Sequence, residues 1–418
     1  MPPASQTAPS IEGGVRRRTL WLVFATILID FVGFSVLIPV LPLYVARLGA
    51  SSVQVGLILS LYAIAQLLFL PAWGWLSDRI GRRPVLLISL GGTVAAFLLL
   101  AVAESVTEVY LARVLGGFFA ASIGTAQAVV TDVTPPEERA RGMGLIGAAF
   151  GLGFVLGNPI GGWLGAIEER LPFYAIAALA LANLLLALWL LPESKPPRPG
   201  PMRWAGLLRS LVPAPLRLPL AFRRSKGRPE ERRIPLYLYL FFHMFTAFAA
   251  LEAMFSLYLN GRFAVGPLGV GVLFGYIGLF IALTQGVVVG RLAERFGEAK
   301  LVIAGLVAMG IGLFGVAAAP SYGWILAIGP VVALGNGIAF PSFTSLYSRA
   351  CHTDKAGEFL GDSQSMATAG RIVGPLWAGL AMGEISLAAP FWIAGGLMLA
   401  AAAIFHAWRG RLLDPAHH

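Results

Sequence analysis

Apolar stretches long enough to cross a lipid bilayer recur along the whole chain, separated by shorter polar segments. A hydrocarbon core of about 30 Å needs roughly 20 helical residues to cross it. Twelve stretches reach that length, at approximately residues 20–45, 53–76, 85–103, 107–131, 142–166, 172–191, 235–259, 267–290, 301–319, 322–348, 359–383 and 388–408. They are apolar on all sides and rich in glycine, whereas barrel strands alternate over about ten residues. The pattern predicts an all-α integral membrane protein with twelve transmembrane helices.

Positively charged residues fall mostly on one side of this predicted bundle. An even number of spans places both termini on the same side of the membrane. Of the 31 Lys and Arg residues, 26 lie in the termini and loops of that side, and only Arg47, Arg170 and Arg262 lie opposite. Because cytoplasmic loops carry the excess of Lys and Arg, the sequence predicts cytoplasmic termini. The net charge of +10 follows from these loops and gives no reason to expect a nucleic acid partner.

The longest polar segment, residues 192–234, is rich in Pro and Arg and divides the chain into six spans and six spans. We interpret it as a basic cytoplasmic linker between an N-terminal six-helix half, residues 1–191, and a C-terminal six-helix half, residues 235–418. Arg outnumbers Lys by 27 to 4, which is typical of a GC-rich bacterial genome. The predicted location is therefore the bacterial cytoplasmic (inner) membrane.

Two short sequences of the first half return in the second half. The stretch "GWLSDRIGRRPVLL" from Gly74 is echoed by "GRLAERFGEAKLVI" from Gly290, and "GNPIGG" from Gly157 is echoed by "GPLWAG" from Gly374. Both echoes have almost the same offset, which indicates two pseudo-symmetric copies of one six-helix unit. Duplicated halves are typical of secondary transporters, whose substrate site lies between the halves near the membrane midplane.

Four ionisable residues lie deep inside predicted spans: Asp30, Arg113, Glu252 and Arg371. Such residues are costly in lipid and mark function by default. At 1.5 Å per residue, Asp30 and Arg113 reach depths within about 5 Å of each other, so they are candidates for an ion pair. Proton binding to Asp30 would then release Arg113 and couple protons to transport. A permanent structural ion pair is the alternative. Glu252, in the other half, is a candidate for binding a proton, a cationic substrate or both.

Aromatic and polar residues at similar depth are candidates for the wall of a substrate cavity, although an interhelical hydrogen bond is the alternative for each. The candidates are Tyr62, Gln66, Gln127, Asn158, Glu252, Tyr258, Tyr276, Gln285, Asn336, Phe340 and Arg371. No phosphate-binding loop, metal-ligand spacing or nucleophile elbow occurs in the sequence. We therefore predict a transporter and not an enzyme, with a small-molecule substrate, protons as the coupling ion, no cofactor or metal, membrane lipids as neighbours and a monomeric state.

Several motifs together resemble the major facilitator superfamily. Its signature between spans two and three, G-x-L-a-D-r-x-G-r-r, matches at Gly74, Leu76, Asp78, Arg79, Gly81, Arg82 and Arg83. Within the superfamily, "LIDFVGFSVLIPVLPLY" in span one, "LARVLGGFFAA" in span four and "LLPES" after span six resemble the twelve-span drug:proton antiporters that include the tetracycline exporters. The resemblance covers nearly the whole chain. It implies proton-coupled efflux of small amphipathic or cationic drug-like compounds by alternating access.

The signature stretch also has a predicted mechanical role. Asp78 is placed to accept backbone N–H bonds from a facing helix N-terminus, which the resemblance identifies as span eleven. Arg82 is expected to pair with Asp132 at the end of span four. These contacts would exist only while the cytoplasmic side is closed. The hypothesis is thus a conformational latch made of Gly74, Asp78, Arg79, Gly81, Arg82, Arg83 and Asp132; ordinary positive-inside charge is the alternative.

One departure from the antiporter pattern keeps other transport functions open. The family signature in span five reads G-P-x-x-G-G, whereas the proline here is shifted by one position in "GNPIGG" from Gly157 to Gly162. A proton-coupled symporter of a sugar or metabolite, or a lipid flippase, would use the same fold. A largely apolar cavity with one or two acids would favour drugs, and a polar, hydroxyl-matching cavity would favour sugars.

Overall fold

A computed structural model describes residues 13–135, 138–195, 234–350 and 356–413, and within these ranges all regular secondary structure is helical. The helices are α1 (Gly13–Arg47), α2 (Ser52–Ile80), α3 (Arg82–Val102), α4 (Val106–Phe118), α5 (Ser122–Val133), α6 (Arg139–Ile167), α7 (Leu171–Leu190), α8 (Ile234–Phe263), α9 (Pro267–Leu283), α10 (Val289–Phe296), α11 (Glu298–Ala317), α12 (Tyr322–Ala350), α13 (Ala356–Glu384) and α14 (Ala389–Leu413). Most of the predicted linker, 196–233, lies outside the described residues.

In the described part of the chain, eleven helical segments are long and apolar enough to cross a membrane. They correspond to eleven of the twelve predicted spans, with α4 and α5 forming the fourth. The predicted eleventh span is α13, which is less apolar because it carries Arg371 and several polar residues. This helix packs against α2 and α8. Large apolar side chains such as Trp163 and Trp189 stay exposed on the outside of the bundle, as expected for a surface that faces lipid.

The fourth span is interrupted, which corrects the prediction of one continuous helix. Between α4 and α5 the backbone turns and releases carbonyl oxygens that lipid cannot satisfy. The Trp73 indole N–H donates to the Phe118 carbonyl at 2.5 Å, and the Ser89 hydroxyl donates to the Phe119 carbonyl at 2.5 Å. These bonds from α2 and α3 stabilise the break, which leaves Ser122 at the start of α5.

The eighth predicted span is also irregular. A π turn, Thr284–Val288, lies between α9 and α10. A π turn carries an extra residue, so the faces of the helix shift beyond it, and such turns are often found at functional positions. Gly337 of α12 packs directly against the Thr284 side chain at this point.

Two ends of the bundle are distinguished by charge. The basic face is the end that carries Arg79, Arg82, Arg83 and Lys195. The far face is the opposite end, with the short connections 48–51, 168–170 and 264–266. The first helix runs from the basic face to the far face, and the following spans alternate in direction.

Helices α1–α7 meet helices α8–α14 in the part of the bundle nearer the far face. The helix pairs in contact there include α2 with α13 and α6 with α9. Three serine hydroxyls donate across this boundary to backbone carbonyls: Ser52 to Gly379 at 3.0 Å, Ser60 to Ile372 at 2.7 Å and Ser256 to Ile38 at 2.9 Å.

Near the far face, the contact between α6 and α9 brings the two backbones together, whereas further along it includes the Phe154 and Phe274 rings, with centroids 6.4 Å apart. A Cβ atom on Gly162 would lie 2.5 Å from the Pro267 carbonyl oxygen and 2.9 Å from the Gly271 Cα. A Cβ atom on Gly379, in the α2–α13 contact, would lie 2.5 Å from the Ser52 carbonyl oxygen. Only glycine permits these approaches, so the far side is closed by helices in direct backbone contact.

Candidate functional site

A cavity lies among helices α1 to α6 and is completed by one residue from α13. Its wall is mostly aromatic and aliphatic, with a few polar groups and three charged side chains. The wall consists of Asp30, Phe31, Phe34, Leu37, Tyr62, Gln66, Thr93, Ala96, Phe97, Leu100, Ala112, Arg113, Gly116, Ala120, Ser122, Ile123, Phe150 and Arg371. Five of the residues predicted as coupling or cavity residues therefore meet here: Asp30, Tyr62, Gln66, Arg113 and Arg371.

Asp30 supplies the acid of this cavity. Its side chain is half-buried, and its Oδ2 atom is buried without a hydrogen-bond partner. The Ser122 hydroxyl, placed by the break in span four, is its hydrogen-bonding neighbour. A carboxylate in a cavity wall that has an oxygen without a donor is able to accept a proton or a donor group of a bound molecule.

Arg113 is 6% exposed and lies against an aromatic ring. Its guanidinium carbon is 4.4 Å from the centroid of the Tyr62 ring, a cation–π contact, and its Nε atom has no hydrogen-bond partner. No ion pair within 4.0 Å joins it to Asp30 in the described conformation. The two side chains that the sequence predicts at one depth do line one cavity, yet Arg113 stacks on Tyr62 whereas Asp30 faces Ser122.

Arg371 reaches the cavity from α13, across the boundary between the two sets of helices. Its guanidinium carbon lies 5.5 Å from the centroid of the Phe245 ring. Glu252 of α8 is within electrostatic range of Arg371 but does not line the cavity. Among the residues that the structure describes, the cavity wall thus carries one carboxylate and two guanidinium groups.

Two of the other predicted cavity residues are fully buried in helix packing. The Asn158 amide donates to the Phe154 carbonyl of the preceding turn at 2.8 Å. The Tyr258 hydroxyl donates to the Val316 carbonyl at 2.7 Å. In this conformation both residues make the interhelical or local hydrogen bonds that were the alternative interpretation.

The remaining predicted cavity residues also lie away from this wall. Gln127 and Asn336 are half-buried on α5 and α12, and Gln285 is exposed within the π turn. Tyr276 packs on Phe280 with ring centroids 5.0 Å apart. Phe340 packs on Phe245, with centroids 5.7 Å apart.

Most of the apolar wall and Ser122 were not among the residues predicted from the sequence. The rings of Phe31 and Phe150 meet edge to face, with centroids 4.5 Å apart, beside Asp30. The sequence offered one signal for this wall. Phe34 lies four residues after Asp30 and Leu37 lies seven residues after it, so the three residues share one helix face. No local signal marks Ser122, whose position depends on the break in span four.

A second cluster lies at the basic face, around the signature stretch. The Arg82 guanidinium is almost fully buried and contacts three side chains: Asp132 Oδ2 at 3.1 Å, Asp78 Oδ1 at 2.8 Å and Ser77 Oγ at 2.5 Å. The predicted pair between Arg82 and Asp132 is therefore present. Arg82 ties the end of α2, the start of α3 and the end of α5 together.

The turn between α2 and α3 is held by an acid that the sequence analysis did not assign to this site. Gly81 has φ of +104°, a backbone conformation that favours glycine. Both oxygens of the Glu193 carboxylate accept backbone N–H bonds from the first residues of α3, Arg82 at 2.8 Å and Arg83 at 3.1 Å. A carboxylate at a helix N-terminus also interacts favourably with the helix dipole. A Cβ atom on Gly81 would collide with Glu193.

Asp78 contacts Arg82 and the first residues of the predicted linker in this conformation. Besides Arg82, its Oδ1 atom is 2.8 Å from the Lys195 ammonium. The predicted contact between Asp78 and the start of span eleven borders residues 351–355, which lie outside the described residues, so the latch stays a prediction. Of the other signature residues, Arg79 stacks on Trp75, Arg83 donates to the Leu188 carbonyl, and Gly74 is exposed.

The repeated segment of the second half has the same turn with inverted charges. Gly297 has φ of +79° between α10 and α11, as Gly81 has between α2 and α3. The following residue is Glu298, where the first copy has Arg82. Glu298 accepts from Arg349 of α12 at 2.9 Å, so the acid and the base have exchanged places relative to Arg82 and Asp132.

We expect Arg82→Gln to lower stability, because it leaves Asp132 without its charged partner. Hydrogen bonds to charged groups contribute about 1.5–3 kcal/mol each, so we expect a loss of about 2 kcal/mol, measured as a lower midpoint of thermal unfolding in detergent. Arg295→Gln, at an exposed arginine that stacks on Phe296, is the control. The double variant with Asp132→Asn should recover part of the loss, and no recovery would contradict this assignment.

Comparisons with known proteins agree with this geometry. The family model described as Major Facilitator Superfamily matches residues 23–361 and 286–417. The class C tetracycline resistance protein of Escherichia coli is 33% identical over 360 residues, covering 85% of this chain and 88% of that protein. The quinolone resistance protein NorA of Staphylococcus aureus is 26% identical over 399 residues, covering 93% and 95%. The human organic anion transporter MFSD10 has a similar fold, with a TM-score of 0.69, 24% identity and coverage of 93% and 99%.

Proposed function

The chain belongs to the major facilitator superfamily, and we propose that it is a proton-coupled exporter of small amphipathic or cationic drug-like compounds that works by alternating access. The observation that carries this proposal is a cavity whose described wall is mostly apolar and aromatic and contains one acid, Asp30. An apolar wall binds amphipathic molecules through buried area, and a few polar groups set their orientation.

The orientation of the cavity is compatible with export. We place the basic face in the cytoplasm, because Lys and Arg accumulate on cytoplasmic loops. With the far side closed by helix contacts such as Gly162 with Gly271, access to the cavity is then from the cytoplasm. In that conformation an exporter takes up its substrate.

Asp30 is the proposed site of coupling between protons and substrate. Asp30 lines the cavity and its Oδ2 atom has no hydrogen-bond partner, so in this proposal a proton and a donor group of the substrate compete for the same carboxylate. Exchange follows from this competition: a proton that arrives from outside displaces the substrate, and substrate from the cytoplasm displaces the proton. The protein needs no other coupling ion and no cofactor in this proposal, and it works as a monomer.

The wall favours this function over the two other transport functions. A sugar needs several hydrogen-bonding groups, whereas most side chains of this wall are Phe, Leu, Ile, Ala or Gly. A lipid flippase needs room for acyl chains, whereas the wall contributes three charged side chains to the space, Asp30, Arg113 and Arg371. The relatives that are named for tetracycline and quinolone resistance also support a drug-like substrate.

Proteoliposomes provide the test. The purified protein is reconstituted with a pH-sensitive dye inside, and a panel of amphipathic, sugar and lipid compounds is added under an imposed pH gradient. We expect proton flux that depends on amphipathic compounds, disappears with a protonophore and is absent from empty liposomes. Proton flux only with sugars, or compound movement without proton flux, would contradict the proposal.

A further inference from the structure

The charges that face the cavity are unbalanced in favour of cations. Arg113 comes from α4 and Arg371 from α13, whereas Asp30 is the one carboxylate that the described residues contribute to the wall. Within the described residues, neither guanidinium has a carboxylate within 4.0 Å. Glu252 interacts with Arg371 electrostatically but lies outside the wall. A purely cationic substrate would therefore meet two repulsive groups and one attractive group.

The two arginines are held in a way that leaves hydrogen-bond donors for a ligand. Each guanidinium packs against an aromatic ring, Arg113 on Tyr62 and Arg371 on Phe245. Ring contacts stabilise the cation but use none of its five N–H donors as conventional hydrogen bonds. The buried Nε atom of Arg113 has no partner at all. Unsatisfied buried donors are costly, so an acceptor group of a bound molecule would relieve that cost.

We propose that this cavity selects amphoteric compounds. Their carboxylate, or another anionic oxygen group, is bound by Arg113 and Arg371, and their cationic or donor group is bound by Asp30. Arginine binds such oxygens through short, charge-assisted and often bidentate hydrogen bonds. This inference rests on the proposed export function and adds a substrate class and a specificity-determining residue, Arg371, to it.

The arrangement remains compatible with proton exchange. The proton competes with the cationic end of the compound at Asp30, whereas the arginines hold the anionic end in a separate place. Arg113 and Arg371 also belong to different halves, α1–α7 and α8–α14. An anionic group bound to both would contribute to the relative placement of the halves, so its recognition is linked to the conformation that binds it.

Two dyes that differ in one group provide the test. Rhodamine 110 carries a free carboxylate, and rhodamine 123 is its methyl ester, a cation with the same ring system. Binding of each dye to purified protein is measured by fluorescence anisotropy. We expect the unmodified protein to bind rhodamine 110 on the order of tenfold more tightly, the equivalent of about one charge-assisted contact.

Variants of Arg371 then separate recognition of charge from general packing. Arg371→Gln should weaken rhodamine 110 about tenfold and leave rhodamine 123 unchanged or improved. Arg371→Lys should keep part of the preference, because it keeps the charge but loses the planar donor fork. Arg291→Gln, at an exposed arginine that donates to the Val287 carbonyl, is the matched control and should change neither affinity.

Opposite outcomes would overturn the inference. Equal or tighter binding of the methyl ester by the unmodified protein would contradict it. Equal weakening of both dyes by Arg371→Gln would contradict it as well. Transport separates this inference from the proposed function. Proton-driven export of rhodamine 123 alone would contradict the substrate class and leave the export function standing. A carboxylate preference in binding, with no proton-driven movement of either dye or of the wider panel, would contradict the export function.

Discussion

Replacing Asp30 with asparagine is expected to abolish transport that is driven by a pH gradient. The substitution keeps the size of the side chain and its bond to Ser122, so the cavity and the fold should be preserved. It removes the carboxylate oxygen that lies buried without a partner in the cavity wall. Without that titratable group, the proposed competition between proton and substrate no longer exists. Accumulation under an imposed pH gradient should therefore fall to the level of empty liposomes.

Glu252→Gln is the control for this experiment, because Glu252 is a second deep acid that does not line the cavity. If Asp30 is the coupling acid, Glu252→Gln should retain proton-driven transport. Substrate binding to Asp30→Asn, measured separately, should persist, since the apolar wall and both arginines remain. Accumulation by Asp30→Asn against a gradient would show that another group couples protons, and loss in Glu252→Gln alone would identify that group.

The second large effect is expected for Gly162→Val, which should prevent closure of the far side. In the closed arrangement a Cβ atom at this position would lie 2.5 Å from the Pro267 carbonyl oxygen, which is part of a helix backbone and cannot rotate away. Overpacking typically costs about 1–3 kcal/mol, and each 1.4 kcal/mol shifts a two-state population about tenfold. We expect most molecules to open toward the far face and transport to fall at least about tenfold.

Spin labels measure this shift directly. Labels at residues 50 and 386, in two connections of the far face that belong to different halves, should move apart in Gly162→Val after Cys351→Ser removes the native thiol. Gly147→Val is the matched control on the same helix, because nothing lies within 4 Å of a Cβ atom there. Unchanged distances in Gly162→Val, or equal changes in both variants, would contradict the assigned role of this contact.

The span pattern and the charge cluster were predictable because their causes are local. Lipid imposes length and hydropathy on each span independently. Among the helices that the structure describes, α13 is the exception, since Arg371 is sheltered among neighbouring helices. The pair between Arg82 and Asp132 followed from two helix ends that must meet at one face. The break before Ser122 was not predictable in this way, because the groups that stabilise it, Trp73 and Ser89, are distant in sequence.

The cavity was predicted less well because depth in the membrane does not determine direction around a helix. Tyr258 has the depth of a cavity residue but turns its hydroxyl to the Val316 carbonyl. Gln285 lies in the π turn, where a count of 3.6 residues per turn no longer gives the correct face. The choice of which end is closed also depends on the balance between two conformations of one sequence, and no single motif encodes that balance.

The glycine and serine contacts of the far side have a kinetic consequence. Long side chains lose up to about 2 kcal/mol of rotamer entropy each when they are fixed, whereas glycine loses none. A barrier assembled from the backbones of Gly162, Gly271 and Gly379 therefore excludes solutes without freezing many rotamers. Opening this barrier correspondingly releases little side-chain rotamer entropy. Such a contact can exclude solutes although its closed state is only slightly lower in free energy than its open state. This permits rapid turnover in a protein that must break and remake the contact in every cycle.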